Sequence, residues 1–530
     1  MKKTFLASVM FLGATLSFAQ TTPNGIMVFN NEKTIGRMTG TQKEIKATEY
    51  TFPGRIYDAH IDNVSNTATV QLRTLNDNGK RMENFGDIVH YDLNGRTVKW
   101  TKYISYVTSK IRYSGSTIIF SKGGNSYRLN PENGQDVWRA KNDIYFVDSS
   151  SASIGIGYKF ELGNKVYGHT LEGIDLNNGK RIWQRELNRE YGWNDALPVN
   201  DSTWMILSGG LHTVNVHDGS GWSYNEITGV KDYTGSIAAT AAGFALGAAS
   251  VALFGSGTFF YSTGYSLISD LVSNVYSDST GYYLASRDKV SRIRKNEGTA
   301  AWWRGLPDGY PSKSYLFAKA DTLFMVNFGF AFRGDKLISY GTPFFAAFSK
   351  ETGAQLFFST INIEKNPILD FRIKNDHILL LFKDRLMKYS LRDGSQILEK
   401  PVSSDQAGEL MEFAKTGIYI DAAGSHLANL VLSDTSKHYI VASSGRILIF
   451  DTDLNITGDV DTGRLYDELL KLNSYTFVTR DNQSFIIDAN NKKVAEIDVA
   501  PKAVNVAGNK LYFFRENILF EIDIAGLTGQ

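Results

Sequence analysis

Apolar and polar residues alternate in short runs along most of this chain, and a period of two predicts strands. Ser114-Gly-Ser-Thr-Ile-Ile-Phe120, Tyr439-Ile-Val-Ala442 and Lys510-Leu-Tyr-Phe-Phe-Arg515 are examples. Long amphipathic helical patterns are nearly absent. Several runs feed a turn ending in Gly, and four residues after that Gly stands a large apolar residue. The phrase reads Tyr127-Arg-Leu-Asn-Pro-Glu-Asn-Gly134-Gln-Asp-Val-Trp138, then Gly173-Ile-Asp-Leu-Asn-Asn-Gly179-Lys-Arg-Ile-Trp183, then Arg292-Ile-Arg-Lys-Asn-Glu-Gly298-Thr-Ala-Ala-Trp302. Asn-Gly at the end of a strand marks a hairpin turn in which Gly takes the left-handed conformation.

Weaker copies extend the series. Gly95 reaches Trp100 with one extra residue, Gly353 reaches Phe357, Gly394 reaches Leu398, and Asn491 stands in the Gly place before Ala495. Asn is the usual substitute where the backbone needs positive φ. The interval is 39 residues from Gly95 to Gly134, 45 from Gly134 to Gly179 and 41 from Gly353 to Gly394. A period near forty with several strands per unit predicts propeller blades. The 13% aromatic content suits packed sheets.

The phrase resembles the repeat of the PQQ-binding-like, quinoprotein-like β-propellers, from about residue 50 onward. The resemblance implies that the turn joins the outer strands of a blade. It also implies that the Trp packs near the Gly turn of the next blade. Gly134, Trp138, Gly179, Trp183, Gly298 and Trp302 are then structural repeat residues. The fold expected is all-β, a propeller of seven or eight blades with eight favoured. Seven turns are counted outright, and turns near Gly219 and Asn455 add to them. The strand Ile518-Leu-Phe-Glu-Ile-Asp-Ile524 is expected to close the ring with the other terminus.

The ends and composition set the address. Met1-Lys-Lys, an apolar run from Phe5 to Phe18, and small residues at Ser17 and Ala19 read as a secretory signal peptide over 1–19. Residues 20–50 read as an N-terminal segment able to supply a ring-closing strand, and 51–530 as the propeller. The alternative, a retained membrane anchor, needs a longer run. The chain has no Cys, which excludes disulfides, thiolate metal sites, covalent haem attachment and a lipid-modified cleavage site. A formal net charge of +1 offers no electrostatic footprint for nucleic acid. The expected location is the periplasm or outer membrane, or the cell exterior.

One stretch breaks the pattern. Gly219 and Gly298 are 79 residues apart, nearly two intervals, and residues 232–277 carry the excess. Ser236 to Phe254 contains no charge and is rich in Ala, which favours helix. Gly243 and Gly247, four apart, would share one helical face. Gly255-Ser-Gly257 would turn the chain into a second arm running from Thr258 to Val272. Three readings stay open for this helical hairpin: packed on the propeller, in contact with a membrane through 236–275, or a partner-binding arm in which Gly243, Gly247 and Phe254 associate.

The search for chemistry nominates no catalytic and no cofactor-binding residue. The enzymes that share the repeat hold PQQ over a Trp floor beside calcium, and no segment here matches their ligand and catalytic-Asp pattern. Trp183 and Trp302 sit at repeat positions. His212 and His217 are five apart on a strand, hence on opposite faces and poor joint ligands. Asp451-Thr-Asp453-Leu-Asn455 resembles the start of a calcium loop. Ile456 and Thr462, however, stand where an EF-hand needs Gly and Glu. Asp451, Asp453 and Asn455 are the one metal candidate, beside the plainer reading of a hairpin turn. The function expected is a secreted, non-catalytic scaffold or binding module of the cell envelope with a protein partner and no cofactor. The alternatives are a PQQ/calcium-dependent oxidoreductase and a glycan-binding propeller, the latter needing solvent-facing aromatics grouped on one face.

Overall fold

The structure, a computed structural model, describes residues 18–21, 26–76, 78–79, 81–147, 153–160, 168–192, 194–231, 267–333, 336–363, 366–403, 408–414, 418–420, 427–429, 436–461, 465–472, 475–480, 483–490, 492–499 and 503–524. These residues form nine four-stranded antiparallel sheets and one sheet of twelve strands. Eight of the four-stranded sheets follow one another along the chain: sheet 1 (55–105), sheet 2 (109–140), sheet 3 (142–186), sheet 4 (195–225), sheet 5 (276–305), sheet 6 (314–360), sheet 7 (370–401) and sheet 8 (410–461). Each pairs its four strands in chain order, and this repetition of blade-like sheets is of the β-propeller kind.

Each sheet is buried on both faces because each face packs on a different neighbour. His377–Leu381 reads His-Ile-Leu-Leu-Leu, an unbroken apolar run. Its Ile378 and Leu380 join the cluster shared with sheet 6, while Leu379 and Leu381 join the cluster shared with sheet 8. Period-two alternation thus sends successive side chains to opposite interfaces. Ile118 and Phe120 likewise face sheet 1, and Ile119 faces sheet 3.

The twelve-stranded sheet contains two meanders, 465–497 and 503–523. Glu44–Thr51 pairs with Ile518–Asp523 in the register Tyr50↔Leu519, so a strand from near the beginning of the chain completes the last meander. Met27–Met38 then links that strand to the outer strand of the preceding meander, with Arg37 opposite Glu496. Tyr50, Tyr512, Phe514 and Leu519 pack against Val70, Val89 and Tyr91 of sheet 1. The last meander therefore lies against the first sheet.

The repeated phrase makes one contact throughout. Gly134, Gly179, Gly219, Gly298, Gly353 and Gly394 all have φ between 67 and 73°. The preceding sheet lays an aromatic ring on each of them: Trp100, Trp138, Trp183, Trp222, Trp302 and Phe357 in turn. A Cβ on Gly179 would stand 2.6 Å from Trp138 Cδ2. Each indole N–H also donates to a carbonyl of the same turn: Trp138 Nε1 to Leu176 O at 2.9 Å, and Trp183 Nε1 to Val216 O at 2.7 Å. Trp302 Nε1 reaches Lys350 O at 2.9 Å.

Three departures from the sequence reading have local causes. At Gly95 the positive φ falls on Arg96 instead, which accounts for the extra residue before Trp100. Trp222 follows Gly219 by three residues rather than four, yet sits on Gly298 and donates to Lys295 O at 2.7 Å. In the insertion, Leu267–Ser269, within the arm read as helical, is a strand. Pairing of Ile268 with Val230 on one side and Arg333 on the other overrides its local tendency. The remainder of the insertion from 232 to 266, with Gly243, Gly247 and Phe254, lies outside the described residues. So do residues 1–17 of the signal-peptide reading and Asn491.

Substitution of the staple tests this account. Trp183→Ala is expected to cost about 3–5 kcal/mol. Gly179→Ala is expected to cost about 1–2 kcal/mol from its left-handed backbone alone, with the displacement of Trp138 added. Urea unfolding followed by tryptophan fluorescence measures both, and an unchanged midpoint for Gly179→Ala would contradict the contact.

Candidate interaction site

The most distinctive local structure is the root of the insertion. Val230–Lys231 and Leu267–Ser269 leave the path between sheets 4 and 5. Phe330–Arg333 and Lys336–Ser339 form a hairpin that interrupts sheet 6. Together they make the ninth four-stranded sheet, which ties the insertion to sheet 6. Ile268, Leu271 and Ala331 are its buried core.

Immediately after the strand Leu267–Ser269, Asp270 takes φ 66°, a left-handed conformation uncommon outside Gly. Its carboxylate is buried and receives Lys313 Nζ at 2.8 Å and Asn194 Nδ2 at 3.4 Å. Lys313 belongs to the entry of sheet 6, and Asn194 to the entry of sheet 4. The backbone N–H of Leu271 donates to Thr228 O at 2.9 Å. The Asn274 side chain bonds both backbone groups of Leu316, at 2.7 and 3.1 Å. One short segment thus grips sheets 4 and 6 at once. Burial pushes the Asp270 carboxyl above the ordinary carboxylate range, with Lys313 opposing the shift. No sequence motif marked this pair, because its partners lie 43 residues apart with sheet 5 between them.

The residues singled out from sequence fall elsewhere. Trp138, Trp183 and Trp302 are spent on the turns described above. Asp451 caps its own hairpin, its Oδ1 accepting from the N–H groups of Asp453 at 3.0 Å and Asn455 at 2.8 Å. Leu454 within that turn is left-handed and buried against sheet 7. Lys400 Nζ donates to Asn455 Oδ1 at 2.9 Å, so an ammonium already holds the oxygen nominated for a cation. His212 is buried and its Nε2 bonds Ser208 O at 3.0 Å, while His217 is exposed at the turn. Among the described residues no group of three or more His, Asp or Glu gathers as a metal site. No helix among them is long and apolar enough to cross a membrane.

A second concentration of polar chemistry lies in sheets 1 to 3 and the segments that follow them. His60 stacks on Tyr113 at 4.3 Å with the planes 5° apart. Arg73 lies over both the Tyr57 and Tyr106 rings, at 4.2 and 4.7 Å. Arg189 lies 4.2 Å over Tyr158 and donates to Tyr145 Oη at 3.2 Å.

Fold and sites define an all-β protein of blade-like sheets with an anchored insertion. No protein-family model matches the chain, and no curated protein sequence matches it. Among solved structures it is similar to BamB from Moraxella catarrhalis, at 12% identity over 73% of this chain and 96% of that one, with a TM-score of 0.30. It is similar also to the computationally designed Ika8 protein, at 8% identity over 73% of this chain and 95% of that one, with a TM-score of 0.30.

Two outcomes follow for the buried ionisable groups. Lys313→Met strands Asp270 without its partner and is expected to cost about 3–5 kcal/mol; the double variant Lys313→Met/Asp270→Leu should recover part of that. A double-mutant cycle by urea unfolding reads the coupling, and additive losses would refute it. Burial holds His90, His212 and His438 down at about 4, against 6.5 when unfolded. The unfolded chain therefore takes up more protons in that window. Stability should be full above about pH 6.5 and fall as pH drops toward 4, and a flat midpoint between pH 6.5 and 5 would count against it.

Proposed function

We propose that this chain is a non-catalytic β-propeller scaffold or binding module of the cell envelope, exported by a cleaved signal peptide over 1–19 and acting on a protein partner. The observation that carries the reading is the mount built for the insertion. Residues 233–269 contain no charged side chain. The strands that flank it, Val230–Lys231 and Leu267–Ser269, lie in a dedicated sheet beside the buried Asp270–Lys313 pair. A charge-free segment of this length is the kind of sequence that a partner covers. The staple residues support the same reading, since the Trp rings of the repeat are engaged between sheets.

The proposal includes a single closed ring. Apolar clusters link each of sheets 1 to 7 to the next, and the last meander to both sheet 1 and the meander before it. Ile418–Ile420, from within sheet 8, pairs with Leu465–Leu472 of the large sheet. With both meanders counted, the ring has ten blades, two beyond the eight favoured from the turns. Nine blades carry an outer hairpin turn. The tenth takes its outer strand from Glu44–Thr51 and has no such turn to count.

The register suggests a clean test. Lys231 lies opposite Leu267 in an antiparallel pair, so residues 232–266 can be replaced by Asn-Gly as a two-residue hairpin turn. That variant is expected to keep the urea midpoint of the parent and to lose cross-linked envelope partners. Unchanged partners and unchanged membrane partition would overturn the role given to the insertion. Bound-cofactor absorbance after reconstitution with PQQ and Ca²⁺ would favour the oxidoreductase instead.

A further inference from the structure

Sheet 1 places two arginines directly opposite each other, Arg55↔Arg73. Like charges facing across a strand pair are destabilising. Arg55 has its counter-ion, with Nη2 on Glu516 Oε1 at 2.6 Å. Arg73 has none among the described residues: no ion pair and no side-chain hydrogen bond reaches its guanidinium.

Arg73 is nevertheless held in place. Its guanidinium carbon lies 4.2 Å from the Tyr57 ring centre and 4.7 Å from that of Tyr106. The two rings meet edge-on at 5.0 Å. Tyr106 is pinned across the end of the sheet by its hydroxyl, which donates to Leu72 O at 2.8 Å. The Nε atom is buried, so what remains open is the Nη fork. Tyr57 is 48% exposed, and Val107, next to Tyr106, is 73% exposed. Asp58 makes no ion pair with Arg73: its oxygens accept from Gln71 Nε2 at 3.0 Å and from the N–H of Ala59 at 2.9 Å.

A fork fixed by two rings has already lost its rotamer freedom, so a planar anion meets it at low entropic cost. Arginine and tyrosine are also the residues that dominate protein interfaces. We propose that the Tyr57–Arg73–Tyr106 cluster is a docking point for an acidic segment of a partner protein. An Asp or Glu carboxylate engages the Arg73 fork, and the neighbouring side chain of the partner rests on Tyr57. The inference rests on the binding-module reading above and gives its partner a chemistry. Charge complementarity selects the carboxylate, and the exposed tyrosine beside the fork selects a peptide carrying an apolar neighbour.

The probe is a short fluorescein-labelled peptide of alternating Asp and Tyr, with its Asn counterpart, read by anisotropy on the full chain. The Asp peptide should bind, the Asn peptide should bind at least about tenfold more weakly, and added salt should weaken the former. Arg73→Gln should lose about the same factor, and Arg73→Lys should fall between, keeping charge without the fork. Tyr57→Ala, at an exposed position, serves as a second variant should Arg73→Gln fail to fold. Equal binding of the two peptides, no binding of either, or unchanged binding by Arg73→Gln overturns the proposal. So does tighter Arg73-dependent binding of phosphatidylglycerol vesicles or polygalacturonate, which would assign the fork to a lipid or an acidic glycan. Cross-linking in the envelope separates this inference from its parent. If the parent chain and Arg73→Gln capture the same partners equally, the docking point fails and the binding module stands. If neither captures any, the binding module fails too.

Discussion

An aromatic ring resting on a left-handed glycine is the contact on which the rest of this structure depends. A sheet buried on both faces has no preferred neighbour from apolar pattern alone. The ring on the turn supplies the missing registration, because a Trp can lie flat only where the turn lacks a Cβ. Its indole N–H then bonds a carbonyl of the same turn, fixing the height of one sheet against the next. Six successive glycines hold φ within a few degrees of one another for this reason.

That constraint explains how residue types are distributed. Central strands are apolar on both faces because both are interfaces, as at Thr322–Asn327 and His377–Leu381. Outer strands alternate the staple with a solvent-facing residue, as Trp183 does with exposed Ile182. Two of the buried ionisable contacts occupy places where the repeat is interrupted or closed. Asp270 and Lys313 stand at the insertion, and Tyr50 bonds Glu521 at 2.9 Å where the beginning of the chain meets its end. Buried charge costs desolvation and is kept where it selects one arrangement over others. At the insertion it joins the segment leaving sheet 4 to the strand entering sheet 6.

Both proposals attach to departures from regularity. The staples tie up the Trp rings of the repeat, and the proposed partner contacts are assigned to the insertion and to the Arg73 fork. The two lie on different sheets, and each has its own supports: a buried ion pair for one, two tyrosine rings for the other.

Much of the architecture was legible in the chain. Alternation gave the strands, and the Gly-x-x-x-Trp phrase located the turns at Gly134, Gly179 and Gly298, since turn chemistry is local. Trp222 was missed because its spacing is one residue short, and the staple depends on ring position in space rather than on a count. The candidate sites were not legible. Asp270 and Lys313, or Arg73 and Tyr106, are ordinary residues until the sheets bring them together. The sequence by itself determined strand, turn and period, because those follow from backbone preferences within a few residues. Only the tertiary structure decided which strand closes the last meander, that Leu267–Ser269 is extended, and which charges meet and which stand open. Those outcomes depend on pairings between segments up to hundreds of residues apart, where burial and desolvation outweigh local preference.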